Sequence, residues 1–530
     1  MLDTPVFASA AVAAPHRLAS EAGRAILAEG GNAIEAVVAM AATLAMLYPH
    51  LNGISGDGFW LVHEPGGRLH GIEACGPAGS LATIERYRGK GYDILPSRGP
   101  EAALTVAGAV GGWQLALELS RSLGGRVPLR ELLLDAINHC REGYAVSDSE
   151  LRCRPHALED LKTAPGFASG FWIDGAPPKP GGRRRPEALG ATLQQLADAG
   201  LDDFYRGDVG REIAADLERI GAPVIRTDLE RYQARSVVPL TLKLPGLSLA
   251  NLPPPTQGLA SLMILGIVEH LDEARLDSFE QHHGLIEATK RAFAVRDRHV
   301  ADPSHLARPP AEFLSDAALM REAAAIDASR AAKPALRDGD DGSAVWMGAI
   351  DGKGLAVSYV QSNGWAYGSG CVLPATGILW QGQGASFSLD RDATNPLAPA
   401  RKPFHRLNPA LASFADGRVA SYGATGGDGQ PQVQAQILTR YRAGQSLATA
   451  IDAPRWLLGK SEVSGSIQLK VENRFDPSLL ERLDAAGHPV VESGLAYCED
   501  FGHAGMLVKH ARGQVEAMHD PRSDGDSRGV

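Results

Sequence analysis

Ser343, Ser358, Tyr359 and Ser362 sit on two short apolar runs either side of a Gly-Lys-Gly turn. The first run is Gly342-Ser343-Ala344-Val345-Trp346-Met347-Gly348-Ala349-Ile350-Asp351 and the second is Leu355-Ala356-Val357-Ser358-Tyr359-Val360-Gln361-Ser362. Together they read as a β-hairpin. The Asp/Gly-rich stretch Arg337-Asp338-Gly339-Asp340-Asp341-Gly342 leads into it. A cleavable loop that opens onto a core hairpin is what a self-cutting hydrolase needs, because the new N-terminus must start on a rigid strand. Downstream, His405-Arg406 sets an imidazole beside a forked, permanently charged donor suited to a small carboxylate, although a structural ion pair would use Arg406 equally well. Gly426-Gly427 supplies backbone that can approach a ligand closely or adopt φ > 0, and equally suits a plain strand-to-helix turn.

These residues need rigid elements behind them. Helical patterns cover His16 to Glu29, stopped by Gly30-Gly31, and Ala33 to Leu47, capped by Asn32. The second is apolar on nearly every face and is expected between layers. Asn52-Gly53-Ile54-Ser55-Gly56-Asp57-Gly58 lacks the ending of a phosphate loop and precedes a strand, so it reads as a turn in a packed core. Further helices are expected near Ala109–Ser120, Val209–Ile220, Gly258–His270 and His282–Val300. Strands are expected over Val345–Ile350, Leu355–Gln361, Cys371–Trp380, Gly417–Gly423 and His503–Lys509. Helices first and strands later indicate an α+β layered fold. The linker-like stretches are 174–186 and 328–342.

Bulk properties exclude some classes of function. The chain has 530 residues, a net charge of −10 and 22% charged residues, which gives no support for nucleic-acid or membrane binding. The basic run Arg183-Arg184-Arg185 lies in a Pro/Gly-rich stretch and reads as a solvated loop. Five widely spaced cysteines form no CxxC pair, against a zinc site or disulfide framework. His282-His283 and His299 form no spaced metal set with nearby carboxylates and read as surface or capping residues, so neither metal nor organic cofactor is expected. The longest apolar stretch, Ala36 to Leu47, is too short to span a membrane, and no signal peptide is visible, so a cytoplasmic location is the expectation. Homo-oligomerisation is left open.

Ordered signatures run along nearly the whole chain. They include Glu29-Gly30-Gly31-Asn32-Ala33, Gly53–Phe59, Asp203-Phe204-Tyr205-Arg206-Gly207 and Thr227-Asp228-Leu229-Glu230-Arg231-Tyr232. Pro253-Pro254-Pro255-Thr256-Gln257-Gly258, Val300-Ala301-Asp302-Pro303, Gly423-Ala424-Thr425-Gly426-Gly427 and Asp520-Pro521-Arg522-Ser523-Asp524-Gly525 follow. In order and coverage they resemble the γ-glutamyltransferase family of N-terminal-nucleophile hydrolases. The resemblance implies a four-layer αββα sandwich and a precursor that cuts itself before its nucleophile. The resulting segments, 1–343 and 344–530, would stay together as one intertwined unit. It also implies a threonine hydroxyl attacking an amide, its own α-amino group as base, and Gly426 and Gly427 as oxyanion donors.

One residue departs from that pattern. Where the family carries its nucleophile, this chain has Ala344, so cleavage is expected between Ser343 and Ala344 only if that position bears a hydroxyl. Three readings stand. The chain is an inactivated, uncut precursor; Ser343 is the nucleophile with the register displaced by one; or the chain is a non-catalytic relative that binds ligand. The second meets a physical objection, since a one-residue shift on a strand turns the side chain to the opposite face.

The substrate positions depart as well. Ala385, ahead of Ser386-Phe387-Ser388, stands where glutathione-type members place the aspartate that holds the α-amino group. His405-Arg406 stands where they place a serine pair. These changes argue against a γ-glutamyl donor, although a γ-glutamyl hydrolase or transpeptidase with rearranged recognition remains the alternative. An acylase for larger amides is also open. Gln381, the Lys402-Pro403-Phe404-His405 segment and Gly426-Gly427-Asp428-Gly429-Gln430-Pro431 look most like the oxamate amidohydrolase branch. The implied substrate is a small amide bearing a carboxylate, met by His405, Arg406 and Asp428. Val360 falls where the transpeptidases carry a supporting threonine, and Ser362 or Tyr359 would supply the neighbouring hydroxyl.

Overall fold

The computed structural model describes residues 3–153, 160–334, 342–460 and 465–530. The approach loop expected over Arg337–Asp341 lies outside them, and Gly342 is its first described residue on the strand side.

Two seven-stranded sheets stack face to face. One runs, edge to edge, through Val6–Phe7, Val515–His519, Ala504–Lys509, Val419–Ala424, Ala410–Phe414, Leu247–Asn251 and Leu240–Leu244. The other runs through Asp526–Gly529, Ala11–Ala14, Ser343–Ile350, Ala356–Gly364, Asp57–His63, Leu69–Ala74 and Arg235–Val237. Every pairing within these two sheets is antiparallel. Helices Arg17–Ala28, Ala33–Leu47 and Ala109–Ser122 cover the outer face of the second sheet, while Gly258–Val268 and Gly429–Arg442 cover the first. The result is an α+β fold in four layers, with helices outside two stacked sheets. Both sheets combine strands drawn from before residue 343 with strands drawn from after it. The expected order of helices first and strands later is therefore corrected, because early segments such as Ala11–Ala14 and Asp57–His63 pair directly with the later hairpin.

The wholly buried helix Ala33–Leu47 is anchored at its start by a capping box. The Glu35 amide donates to Asn32 Oδ1 at 3.1 Å and the Asn32 amide donates to Glu35 Oε2 at 2.8 Å. The expected hairpin is Ser343–Ile350 paired with Ala356–Gly364, with Trp346 opposite Val360. Its residues alternate: Val345 and Met347 pack toward the helical layer, whereas Ala344, Trp346 and Val360 pack between the sheets. Between the sheets the Trp346 indole occupies space left by Gly348, Gly423 and Gly505 and donates to Ser358 Oγ at 2.9 Å. This fixes the start of the Ser343 strand.

Other expectations change. Cys371–Trp380 is no strand; it turns through Gly377 (φ 68°) and makes one isolated bridge, Val372 to Leu379. Arg184 is buried rather than solvated, because its guanidinium pairs with Glu150 at 2.7 Å. His282 and His283 are buried within the helix Phe279–His299 instead of lying at the surface.

Candidate active site

The Ser343–Ala344 peptide bond opens an interior strand, third of seven in its sheet. Ala344 is buried with Trp346, Val360 and Leu407, and a register shift separates Ser343 from Val345. The Ser343 carbonyl accepts a short hydrogen bond from the Ser362 hydroxyl, which itself accepts from the Gly364 amide at 2.8 Å. The Ser343 hydroxyl lies 3.5 Å from the Gly364 carbonyl. Of the hydroxyls read from the sequence, Ser362 adjoins the junction and Tyr359 does not. Tyr359 points to the helical layer, where it stacks on Trp60 and donates to Gln361 Oε1 at 2.6 Å.

The glycine pair comes to the same place. A Cβ built on Gly342 would stand 3.5 Å from Gly427 Cα, Arg406 Cδ and the Gly364 carbonyl. Gly426 (φ 97°) and Gly427 (φ 53°) are consecutive left-handed residues between the strand Val419–Ala424 and the helix Gly429–Arg442. Only glycine adopts two such residues in succession without strain. The helix N-terminus at Gly429 follows directly.

Arg406 donates from Nε to Asp428 Oδ1 at 3.1 Å, and no hydrogen bond among the described residues engages its two terminal nitrogens. Asp428 also takes two bonds from Arg296, at 2.9 and 3.3 Å. Burial alone would raise the Asp428 pKa, but the Arg296 and Arg406 charges outweigh it and hold the carboxyl below its usual value. Asp428 is therefore an anion that orients two arginines.

His405 is fully buried, with Nε2 2.9 Å from Asp57 Oδ2 and its ring edge-on to Phe59. Asp57 also accepts from the Gly76 amide and from Gln381 Nε2, at 3.0 and 3.1 Å. A carboxylate only accepts, so Nε2 is the donor in this pair, and in the neutral ring Nδ1 is then the acceptor. Nδ1 is buried and has no partner among the described residues. Gln383 and Ser386 reach the Phe404 carbonyl at 3.3 and 2.9 Å, so the 383–386 turn, which includes Ala385, braces the segment carrying His405 and Arg406.

Among the described residues one buried set has the composition of a metal site: His283, Glu287 and His488. Its hydrogen bonds speak against an ion there. Lys290 Nζ donates to Glu287 Oε1 at 2.6 Å and lies 3.4 Å from His488 Nδ1. His488 Nε2 meets His283 Nδ1 at 2.9 Å, and His283 Nε2 meets the Asp327 carbonyl at 2.7 Å. One set of neutral tautomers satisfies the whole chain of bonds, with the Lys290 ammonium where a cation would go.

Gamma-glutamyltranspeptidase is the family model that matches this chain, over residues 19–530. The chain belongs to the gamma-glutamyltranspeptidase family. It is 48% identical to an oxamate amidohydrolase proenzyme of Klebsiella pneumoniae, over 97% of both chains. It is 34% identical to a glutathione hydrolase-like YwrD proenzyme of Bacillus subtilis, over 98% of both. Among solved structures, a cephalosporin acylase from Bacillus halodurans superposes with a TM-score of 0.92 at 30% identity, covering 100% of this chain and 97% of that one. The fold is that of an N-terminal-nucleophile hydrolase, and the chain is an enzyme of the amide-bond hydrolase class.

Within this gamma-glutamyltranspeptidase fold, reading by residue type missed Gln257, Arg296 and Asp57. Gln257 was visible only as one letter of the Pro-Pro-Pro-Thr-Gln-Gly signature. Arg296 carries no local signal at all, being one arginine on a long helix. Among the described residues, no helix is long and apolar enough to cross a membrane.

Proposed function

We propose that this chain is the precursor of a self-processing amidohydrolase, with Ala344 at the nucleophile position. Because alanine has no hydroxyl, the chain stays uncut and inactive. The observation that carries the reading is the Ser343 carbonyl, held by the Ser362 hydroxyl and adjoined by Gly427 and Arg406 through Gly342. In a threonine form, the side-chain hydroxyl attacks that carbonyl, the peptide bond migrates to an ester, and water releases segments 1–343 and 344–530. Both segments contribute strands to both sheets, which holds them together.

The freed α-amino group then takes the hydroxyl proton as oxygen attacks the substrate amide. Gly426 and Gly427 offer their amides to the oxyanion, the substrate amine leaves with a proton, and water hydrolyses the acyl-enzyme. Arg406, with Asp428 behind it, holds the substrate carboxylate, and His405, held by Asp57, fixes the segment that carries Arg406. That set fits a small carboxylate-bearing amide of the oxamate type, which would yield oxalate and ammonia.

The bulge between Ser343 and Val345 favours a second reading, in which Ser343 is the nucleophile. Intact mass under denaturing conditions separates the two. This chain is expected at 55.9 kDa. Ala344→Thr is expected to give about 36 and about 20 kDa, scaled by residue count, and to release ammonia from oxamate. Cleavage of this chain before Ser343 would establish the serine reading. If neither form splits, the chain is a non-catalytic ligand-binding relative. Release of amine from a γ-glutamyl anilide, rather than from oxamate, would identify a γ-glutamyl hydrolase or transpeptidase.

A further inference from the structure

Gln257 is completely buried at the start of the helix Gly258–Val268, and one amide group serves three partners. Its Nε2 donates to the Arg406 carbonyl at 2.5 Å and to the Gly427 carbonyl at 2.8 Å. Its Oε1 accepts from Arg296 Nη1 at 2.8 Å, the same nitrogen that holds Asp428 at 2.9 Å. The backbone around it runs beside the same segment: the His405 amide donates to the Pro255 carbonyl and the Gln257 amide to the His405 carbonyl, at 2.8 and 2.9 Å.

Each contact bears on a different part of the site. The Gly427 carbonyl belongs to the peptide plane that also carries the Asp428 amide, so pinning it sets the attitude of the glycine turn. The Arg406 carbonyl fixes the segment that carries the carboxylate fork. Arg296 fixes Asp428, and through it the Arg406 guanidinium. A planar amide with two donors and one acceptor satisfies all three at once, and no other uncharged side chain of that length does so.

We infer that Gln257 is a positioning residue that locks the oxyanion glycine turn to the carboxylate-binding arginine, setting the distance between the reacting carbonyl and the substrate's acid group. This rests on the function proposed above. A displacement of about 1 Å between such groups costs on the order of a hundredfold in rate. The lock therefore selects amides whose carboxylate lies a fixed, short distance from the scissile carbon.

Two substitutions in the Ala344→Thr form separate positioning from mere support. Gln257→Glu keeps the acceptor for Arg296 but loses both donors; Gln257→Met keeps the length and loses everything. A residue needed only to satisfy Arg296 would be rescued by glutamate. A positioning residue would not, and kcat on oxamate is expected to fall at least about tenfold in both variants. Glutamate activity within about twofold of the parent would overturn the inference. Hydrogen exchange on the chain as it stands gives a reading independent of turnover. Faster exchange across residues 404–408 and 425–430 is expected in both variants, and unchanged exchange overturns the inference whatever the activity. If exchange quickens while the Ala344→Thr parent leaves oxamate intact, the substrate assignment fails and the role of Gln257 stands.

Discussion

The Ser362 hydroxyl donates to the Ser343 carbonyl, the carbonyl of the bond that joins the two strand-bearing halves of the chain. A donor already seated on a peptide carbonyl polarises it and stabilises the charge that develops there on attack. In the Ala344→Thr form, Ser362→Ala should therefore slow self-cleavage by about 10²–10³, the usual range for loss of one oxyanion donor. A time course of segment appearance on a denaturing gel measures it. Cleavage at the parental rate would show that the Ser362 contact only supports the strand.

Arg406 and Asp428 call for a different pair of outcomes. Losing a charge-assisted bond costs about 1.5–3 kcal/mol, so Arg406→Ala should raise KM for oxamate roughly ten- to a hundredfold. Arg406→Lys should not restore it, since a lysine cannot present two donors in a fork. Asp428→Asn should cost more stability than Arg406→Ala, because it removes the anion shared by Arg296 and Arg406 and leaves Arg296 only its ion pair with Asp297. Steady-state kinetics and thermal melts read the two effects. An unchanged KM in Arg406→Ala removes the arginine from the substrate site.

What was legible in the sequence divides along physical lines. Local signals read correctly: Asn32 marks a helix start, and the Gly-Lys-Gly turn joins the hairpin. Cys371–Trp380 misled because its apolar residues suggest a strand, while Gly370 and Gly377 adopt positive φ and fold it back on itself. Gly426-Gly427 and Arg406 stand out by their place in the family pattern together with their residue types. Gln257 and Arg296 do not. Their importance comes from side-chain bonds to residues 149 and 132 positions away, and only the stacking of the sheets creates those bonds.

Buried histidines predict the acid limit of the fold. Burial is the leading cause in each case, pulling His488 and His519 down to about 3 and His16 and His503 to about 4. Their ordinary value is near 6.5, so between those limits the unfolded chain binds more protons than the native one. Stability is then complete above about pH 6.5 and is lost as pH falls toward 4. His488→Gln can still accept from Lys290 and donate to His283 without titrating, so its melting temperature should decline less steeply over that range. Parallel melts from pH 7.5 to 4.5 test this, and an equal slope would place the acid sensitivity elsewhere.

The Trp346 cradle makes the last prediction, linking core packing to the junction. A Cβ at Gly423 would stand 2.1 Å from Trp346 Cδ1, and one at Gly505 would stand 2.1 Å from its Cζ3. Neither is reached by rotating a flexible chain, because the indole is wedged between the sheets and tied to Ser358. Gly423→Ala and Gly505→Ala should each cost about 1–3 kcal/mol, the range for overpacking a close-fitted core. Gly459→Ala, on an outlying strand with nothing within 4 Å of its Cβ, serves as the control and should change stability little. Trp346 lies two residues beyond Ala344 on the same face of the strand. In the Ala344→Thr background the two crowded variants should therefore also slow self-cleavage, even at temperatures where they remain folded. Normal cleavage in a destabilised Gly505→Ala chain would show that the indole holds the core without setting the geometry of the junction.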